Sequence, residues 1–357
     1  MSTSVPQIPS PARTLRPPRR SATVLGLAVR VLRALPPRAQ KTLLQRTGAG
    51  QFPDVPDIVR MLEIGGGFPA FGPSERELFA QAPELRAVRV TEPVIQGPAG
   101  RVPARLYRPP GETAGQDALV WVHGGAFLFG DLEMAEAHWV GLALATRGIP
   151  VLSLDYRKSI GGVHAPAASD DVLAGWLWAT NHADELGVAA DRLHLGGASA
   201  GGNLSAGVGL RLRDGAGPLP ASLVLVYPLL HAELPTPSAE LIEAFRAAPD
   251  AVNFSPEWVA DMTLNHVGDA ALLGDPYAFP ANGEASGLPR TLILNCEIDM
   301  LRSSGEAYAE QLERAGVEVT VHLEPGAAHG CLNEPSTPYG QNSLGRIADW
   351  LAHLAER

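Results

Sequence analysis

From residue 87 onward the chain alternates short apolar runs with longer stretches of helical character. Ala118 to Val122 is continuously apolar, as a parallel strand buried on both faces should be. Pro150 to Leu154, Arg192 to Leu195, Ser222 to Tyr227, Thr291 to Asn295 and Val317 to Leu323 follow the same form. Helical segments near 135–147, 169–185, 200–213, 303–315 and 342–355 separate or follow them. Such alternation predicts an α/β fold, with a mostly parallel central sheet covered by helices on both faces. Ala87 to Ile95 and Val102 to Tyr107 read as an antiparallel pair joined by the turn Gln96 to Gly100. Pro93 and Pro103 confine that pair to a sheet edge, because proline donates nothing to a ladder.

Two regions break the alternation. Residues 1–20 are rich in Pro, Arg and Ser and predict a disordered basic tail. Ser21 to Leu35 then sets Val24, Leu27, Ala28, Val31 and Leu35 on one helical face, and Pro56 to Leu62 is a second helical stretch stopped at Gly65-Gly66-Gly67. Residues 21–75 are therefore expected to be N-terminal cap helices. The other region, His231 to Gly287, has no clear strand, several prolines and helical pieces at Ser238–Ala247 and Pro256–Leu264. It falls between two core strands and reads as a lid packed with the N-terminal helices over the site. The catalytic domain is expected over 76–357, with this cap insertion at about 231–287.

The sharpest chemical signal is Gly197-Ala198-Ser199-Ala200-Gly201, a G-x-S-x-G turn between a short strand and a helix of small residues. A serine on so tight a turn exposes its hydroxyl, and the helix N-terminus directs N–H groups at an anion formed there. Acyl transfer by serine also needs a base, an acid that orients the base, and oxyanion donors. Asp299 follows the strand Thr291–Asn295 and His329 follows the last strand, so acid and base arrive in the required order. Glu297 is a second carboxylate on the acid loop and the weaker candidate. His322 lies inside a strand and His353 on the final helix, where structural roles are expected. The oxyanion site is expected from Gly124, Gly125 and Ala126 after the strand Ala118–Val122, with Ala200 after the nucleophile. The N–H groups of Gly125, Ala126 and Ala200 are the expected donors, and His123 is expected to brace the loop.

Charge and cysteine content narrow the rest. The net charge of −10 argues against a nucleic-acid partner. It is unevenly placed: residues 1–53 carry nine Arg or Lys and no acid, which leaves −19 on the remainder. The basic segment reads as a tail leading into a cap helix, with weak membrane-surface contact or a targeting peptide as alternatives. Arg30 interrupts its apolar run and no clean cleavage site follows, so a cytoplasmic location is expected over a peripheral-membrane or exported one. No run approaches the roughly 20 apolar residues that span a bilayer. Cys296 and Cys331 lack metal-ligand spacing, so no metal is expected. They fall on the acid and base loops, which leaves two readings: a pair of buried thiols, or a disulfide.

Taken together, these stretches resemble the hormone-sensitive lipase family of esterases, the bacterial family IV carboxylesterases with the α/β-hydrolase fold. The resemblance rests on Gly100 to Pro109, the His123 loop, Asp155-Tyr156-Arg157, Ser199 with Gly201-Gly202-Asn203-Leu204, Tyr227-Pro228, Asp299 and His329-Gly330, over roughly 87–357. It implies hydrolysis of short to medium acyl esters without a cofactor, on a small-molecule substrate, under a cap built from the N-terminal region and an insertion. Relatives of this fold often pair through a sheet edge or the last helix, which makes a homodimer the default. Three positions and one stretch depart from the family pattern: Ala126 replaces the third glycine of the oxyanion motif, Ala198 precedes the nucleophile, Met300 follows the acid, and Lys158-Ser159-Ile160-Gly161 replaces Leu-Ala-Pro-Glu. The Ala126 methyl keeps the donor and narrows the alcohol side. Two other functions use the same scaffold, namely amide hydrolysis through the same triad and ligand binding without catalysis. For the esterase the activity profile is expected to have an acid limb at roughly pH 6 to 7.

Overall fold

Strands form where the sequence runs apolar without a break. The computed structural model describes residues 54–65, 71–111, 117–248, 251 and 254–352. The basic tail, the helix expected at Ser21 to Leu35 and His353 lie outside the described residues. In chain order the strands are β1 (Arg89–Thr91), β2 (Ile95–Gly97), β3 (Gly100–Val102), β4 (Ala104–Arg108), β5 (Ala118–Val122), β6 (Val151–Leu154), β7 (Leu193–Ala198), β8 (Leu223–Val226), β9 (Thr291–Ile298) and β10 (Val319–Ala328). An eight-stranded sheet runs β1-β4-β6-β5-β7-β8-β9-β10. Strands β5 to β10 are mutually parallel, and β4 is antiparallel to both its neighbours.

The edge differs from expectation in one respect. The region expected as a single antiparallel pair divides in two: β1 pairs with β4, while β2 and β3 form a separate ribbon. Pro93 and Pro103 sit at the two breaks, where a continuous ladder would need N–H groups they lack.

The helices are α1 (Val55–Glu63), α2 (Glu75–Gln81), α3 (Ala135–Ala145), α4 (Ala167–Asn181), α5 (Ala183–Leu186), α6 (Ala200–Arg211), α7 (Ala239–Ala247), α8 (Pro256–Val267), α9 (Arg302–Arg314) and α10 (Pro338–Ala352). Alternation along the strands sorts the core into two layers. Val120 and Val122 of β5 face one layer with Trp176 of α4, Leu204 of α6 and Tyr308 of α9. Leu119 and Trp121 face the other with Trp139 of α3 and Ile347 of α10. The central strands β5 to β8 are thereby buried on both faces, while β1 and much of β10 at the edges meet solvent.

The first layer continues above the sheet. Val55 and Ile58 of α1 pack in the same cluster as Trp258, Val259 and Met262 of α8 and Phe127, Leu128 and Phe129 of the loop after β5. Both insertion helices begin at serine caps: Ser238 accepts from the Leu241 N–H at 3.1 Å and Ser255 from the Trp258 N–H at 3.2 Å. No strand occurs between His231 and Gly287 among the described residues. No helix among the described residues is long and apolar enough to cross a membrane.

Candidate active site

Ser199 is the hinge between β7 and α6, with φ 54° and ψ −118°. A non-glycine residue held there costs about 1–3 kcal/mol, so the surroundings must impose it. They do: the Ser199 N–H donates to Val226 O at 2.9 Å and its carbonyl accepts from Asn203 N at 3.1 Å. The flanking glycines are dictated by contact. A Cβ on Gly201 would collide with the Val122 carbonyl, and one on Gly197 would stand 2.5 Å from the Gly201 carbonyl oxygen. The start of α6 is thus pressed against the end of β5, where the oxyanion loop begins.

Strand pairing brings the acid and base together. β9 and β10 extend past their expected ends, and after an irregularity between Glu324 and Ala328 they pair again at Ala328 and Ile298. The next residue on each strand is the functional one. His329 Nδ1 donates to Asp299 Oδ2 at 2.7 Å, and the Ser199 hydroxyl donates to His329 Nε2 at 3.0 Å. Asp299 is buried, and its other oxygen accepts from the Leu301 N–H at 2.9 Å. Burial disfavours the His329 imidazolium, but the adjoining Asp299 carboxylate outweighs that, with a further contribution from Glu136, so the histidine pKa lies above its ordinary value. The ring is packed edge-on by Tyr227 at 4.9 Å and by Phe254 of the insertion at 5.0 Å between centroids. Glu297 does not join this relay through a hydrogen bond; its carboxylate accepts from the Gly326 N–H at 2.6 Å and ties the two strands. His322 lies against Arg346, at 3.2 Å.

The loop after β5 turns through positive φ at Gly125 (111°), Ala126 (54°) and Phe127 (61°). A Cβ at Gly125 would collide with the Phe129 carbonyl, so glycine is required there. The Gly124 carbonyl accepts from His123 Nδ1 at 2.7 Å and from the Tyr156 hydroxyl at 3.0 Å. Because the peptide is trans and planar, pinning that carbonyl points the Gly125 N–H the opposite way. The Gly124 N–H is itself consumed, donating to Glu136 Oε1 at 2.6 Å. Of the four residues expected at the oxyanion site, Gly124 is thus a braced support. No described residue accepts the N–H of Gly125 or Ala126, and Ala200 is the first residue of α6, whose N–H has no partner within the helix.

Several contributors were missed by sequence reasoning. Glu136 is the lone charge in the apolar stretch from Met134 to Ala145, which was the available signal. His266 of α8 stacks on Phe127 at 3.8 Å between centroids and lies 3.1 Å from the Ser159 hydroxyl. Those contacts join residues far apart in sequence, and no local pattern announces them. Lys158, one of the departures noted above, bonds Asp155 Oδ1 and the Tyr156 carbonyl at 2.5 Å each. Cys296 and Cys331 are both free and buried, 3.6 Å apart at sulfur, which favours paired thiols over a disulfide. Among the described residues no group of three or more His, Cys, Asp or Glu is arranged to hold a metal ion.

The family profile described as alpha/beta hydrolase fold matches residues 119–333. The chain belongs to the α/β-hydrolase fold family. Among curated relatives of this α/β hydrolase, the carboxylic ester hydrolase LipN of Mycobacterium tuberculosis is 38% identical over 255 residues, or 69% of this chain and 65% of LipN. Just under two thirds of that relative is therefore spanned. The carboxylesterase NlhH of the same species is 35% identical over 237 residues, 65% of this chain and 72% of NlhH. A solved hyperthermophilic esterase from the archaeon Pyrobaculum calidifontis superposes with a TM-score of 0.71 at 28% identity, covering 90% of this chain and 99% of that one. These similarities place the α/β hydrolase in the hormone-sensitive lipase group of carboxylesterases.

Proposed function

We propose that the protein is a serine carboxylesterase that hydrolyses short- to medium-chain acyl esters through an acyl-enzyme intermediate. The observation that carries this reading is the unbroken relay from the Ser199 hydroxyl through His329 to the buried Asp299 carboxylate, at 3.0 and 2.7 Å. His329 takes the Ser199 proton as the serine oxygen attacks the ester carbonyl, and Asp299 stabilises the imidazolium that forms. The N–H groups of Gly125, Ala126 and Ala200 receive the oxyanion, and losing one such donor costs about 3 kcal/mol of transition-state stabilisation. The tetrahedral centre collapses, and the alcohol leaves with the proton from His329. Water, deprotonated by the same histidine, then releases the acid.

His123 and Gly124 support the oxyanion loop. Residues 21–75 and 231–287 form the cap in this reading, supported by the shared packing of α1, α8 and Phe127. Phe254 lies against the base that serves the leaving group, which supports a narrow alcohol side bounded also by the Ala126 methyl. The test is hydrolysis of p-nitrophenyl esters from C2 to C16 by wild type and Ser199→Ala. Turnover on the shorter chains that drops roughly 10⁴-fold or more in the variant is expected. Wild-type inertness on every ester would overturn the reading.

A further inference from the structure

Three of the segments around the site, the oxyanion loop, the end of β8 and the turn after His329, meet at one side chain that the proposed mechanism does not use. Glu136 lies on α3, a helix buried along its whole length, and is itself 2% exposed. Its Oε1 accepts from the Gly124 N–H at 2.6 Å, on the oxyanion loop. Its Oε2 accepts from the Tyr227 hydroxyl at 2.6 Å and from the Asn333 side-chain N–H at 3.3 Å. Tyr227 follows β8 and packs on the His329 ring, while Asn333 lies four residues past His329. The main chain of Glu136 is held as well: its N–H donates to Asn333 Oδ1 at 3.1 Å and its carbonyl accepts from the Trp121 indole at 2.8 Å.

Three donors converge on this carboxyl group and none of them is a cation. That set suits an ionised carboxylate, which only accepts. Burying such a charge without a positive partner is costly, whereas a glutamine of the same shape would avoid most of the cost. A functional demand would offset that cost. Two demands are visible. With the Gly124 N–H fixed on Glu136 and the Gly124 carbonyl fixed on His123 and Tyr156, both peptide planes flanking Gly124 are locked, and the Gly125 N–H has one direction left. The second demand is electrostatic. The polar and titratable groups that face His329 are Asp299 from the β9 loop, Ser199 from the β7 turn and Tyr227 from β8, with Glu136 behind Tyr227 on α3.

We propose that Glu136 is a positioning residue of this reaction, aligning the oxyanion loop and supplying negative charge behind the His329 imidazole. The inference rests on the esterase reading above. It separates two effects that a merely structural glutamate would not separate. Glu136→Gln keeps an acceptor for Gly124 and removes the charge, whereas Glu136→Asp keeps the charge and is one methylene too short to hold Gly124.

The experiment measures kcat and KM for p-nitrophenyl butyrate from pH 5 to 9 in wild type, Glu136→Gln, Glu136→Asp and Asn333→Ala. Rates are normalised by fluorophosphonate titration, so that only folded sites count. Glu136→Gln is expected to move the acid limb of kcat/KM to lower pH by about half a unit, since the imidazolium loses a favourable charge. Glu136→Asp is expected to leave the limb in place and lower kcat about 10- to 100-fold with KM little changed, as a misaimed donor does. Should Glu136→Gln give no folded protein, wild-type kcat in both Glu136→Asp and Asn333→Ala would overturn the proposal. An unmoved limb and wild-type kcat in Glu136→Gln would overturn it directly. A wild type that neither turns over any ester nor reacts with the fluorophosphonate overturns the esterase reading instead, and this proposal with it.

Discussion

His194 Nδ1 lies 2.7 Å from the Ser222 hydroxyl, closer than the 3.0 Å between His329 Nε2 and Ser199. Asp117 Oδ1 stands 3.1 Å from the other nitrogen of His194, so the chain holds a second Ser-His-Asp relay. Asp117, His194 and Ser222 lie at the starts of the parallel strands β5, β7 and β8, the opposite end of the sheet from Ser199. Proximity alone does not make this relay a catalyst. Ser222 has no exposed surface, and its oxygen already accepts from the Trp350 indole N–H at 2.8 Å. Fluorophosphonate is therefore expected to label Ser199 alone. Ser222→Ala is expected to keep kcat within about twofold while losing about 1–3 kcal/mol of stability, because its buried partners go unsatisfied. Peptide mapping and urea unfolding check both halves, and labelled Ser222 in native protein would sink the argument.

The pH profile follows from the balance at His329. Burial opposes the charged ring, yet Asp299 and then Glu136 hold its pKa above the ordinary 6.5. The neutral form is the base, so activity rises as pH climbs through that raised value. The acid limb of kcat/KM is accordingly expected above the ordinary histidine value of 6.5. Asp299→Asn removes the dominant favourable charge and misorients the imidazole. It is expected to cost about 10⁴-fold in kcat and to shift the limb downward. Full wild-type activity at pH 4 would exclude His329 as the base.

What the sequence disclosed, and what it hid, follows from how local each signal is. Buried parallel strands are continuous apolar runs, so β5, β6 and β8 stood out within a residue or two. The order of Ser199, Asp299 and His329 was equally plain, because a relay of this kind fixes which loops must carry them. The ends of β7, β9 and β10 were less legible. Gly196-Gly197 looked like a stop, but β7 runs on to Ala198, since its neighbours β5 and β8 supply the ladder that glycine propensity would deny. The fate of one N–H at Gly124 was invisible, as it depends on a glutamate twelve residues away. The strand-free stretch from His231 to Gly287 was recognisable by what it lacked, whereas its grip on the oxyanion loop through His266 was not.

That grip leads to a stability prediction. His266 is stacked on Phe127 and fully enclosed, and burial, with His164 nearby, pushes its pKa down to about 3. Burial similarly takes His231 to about 4 and lowers His194. In each case the unfolded chain, near 6.5, binds protons that the folded chain refuses. Stability is therefore full above about pH 6.5 and falls as pH drops toward the folded values. His329 acts in the opposite sense, but among the described residues it is one raised histidine against five lowered ones, His138 and His322 being the other two. The urea midpoint is expected to fall steadily from pH 7.5 to 5. His266→Phe keeps an aromatic ring on Phe127 and removes one titration, so its curve is expected to be flatter. A variant with the wild-type slope would show that His266 does not carry the effect.

Cys296 and Cys331 supply the last prediction. Their sulfurs are 3.6 Å apart, while a covalent bond needs about 2.05 Å, so closure requires only a small approach of the acid and base loops. Reactivity is nevertheless held back. The hydrogen bond to Cys331 and then burial raise the Cys296 pKa well above its ordinary value, and the thiolate is the species that attacks a disulfide. With oxidised glutathione as the acceptor, one cysteine forms a mixed disulfide and the second displaces glutathione, so the protein loses two hydrogens and two glutathiones are reduced. Native protein is expected to show no thiol titratable by Ellman's reagent within minutes and two in denaturant. Prolonged incubation with oxidised glutathione is expected to lower the intact mass by about 2 Da. Closing this 35-residue separation stabilises by at most about 4 kcal/mol in the chain-entropy account, read as a higher melting temperature under non-reducing conditions. Rapid alkylation of the native protein would contradict the burial on which the slow rate depends. A stable mixed disulfide that never resolves would show that the two loops hold the sulfurs apart.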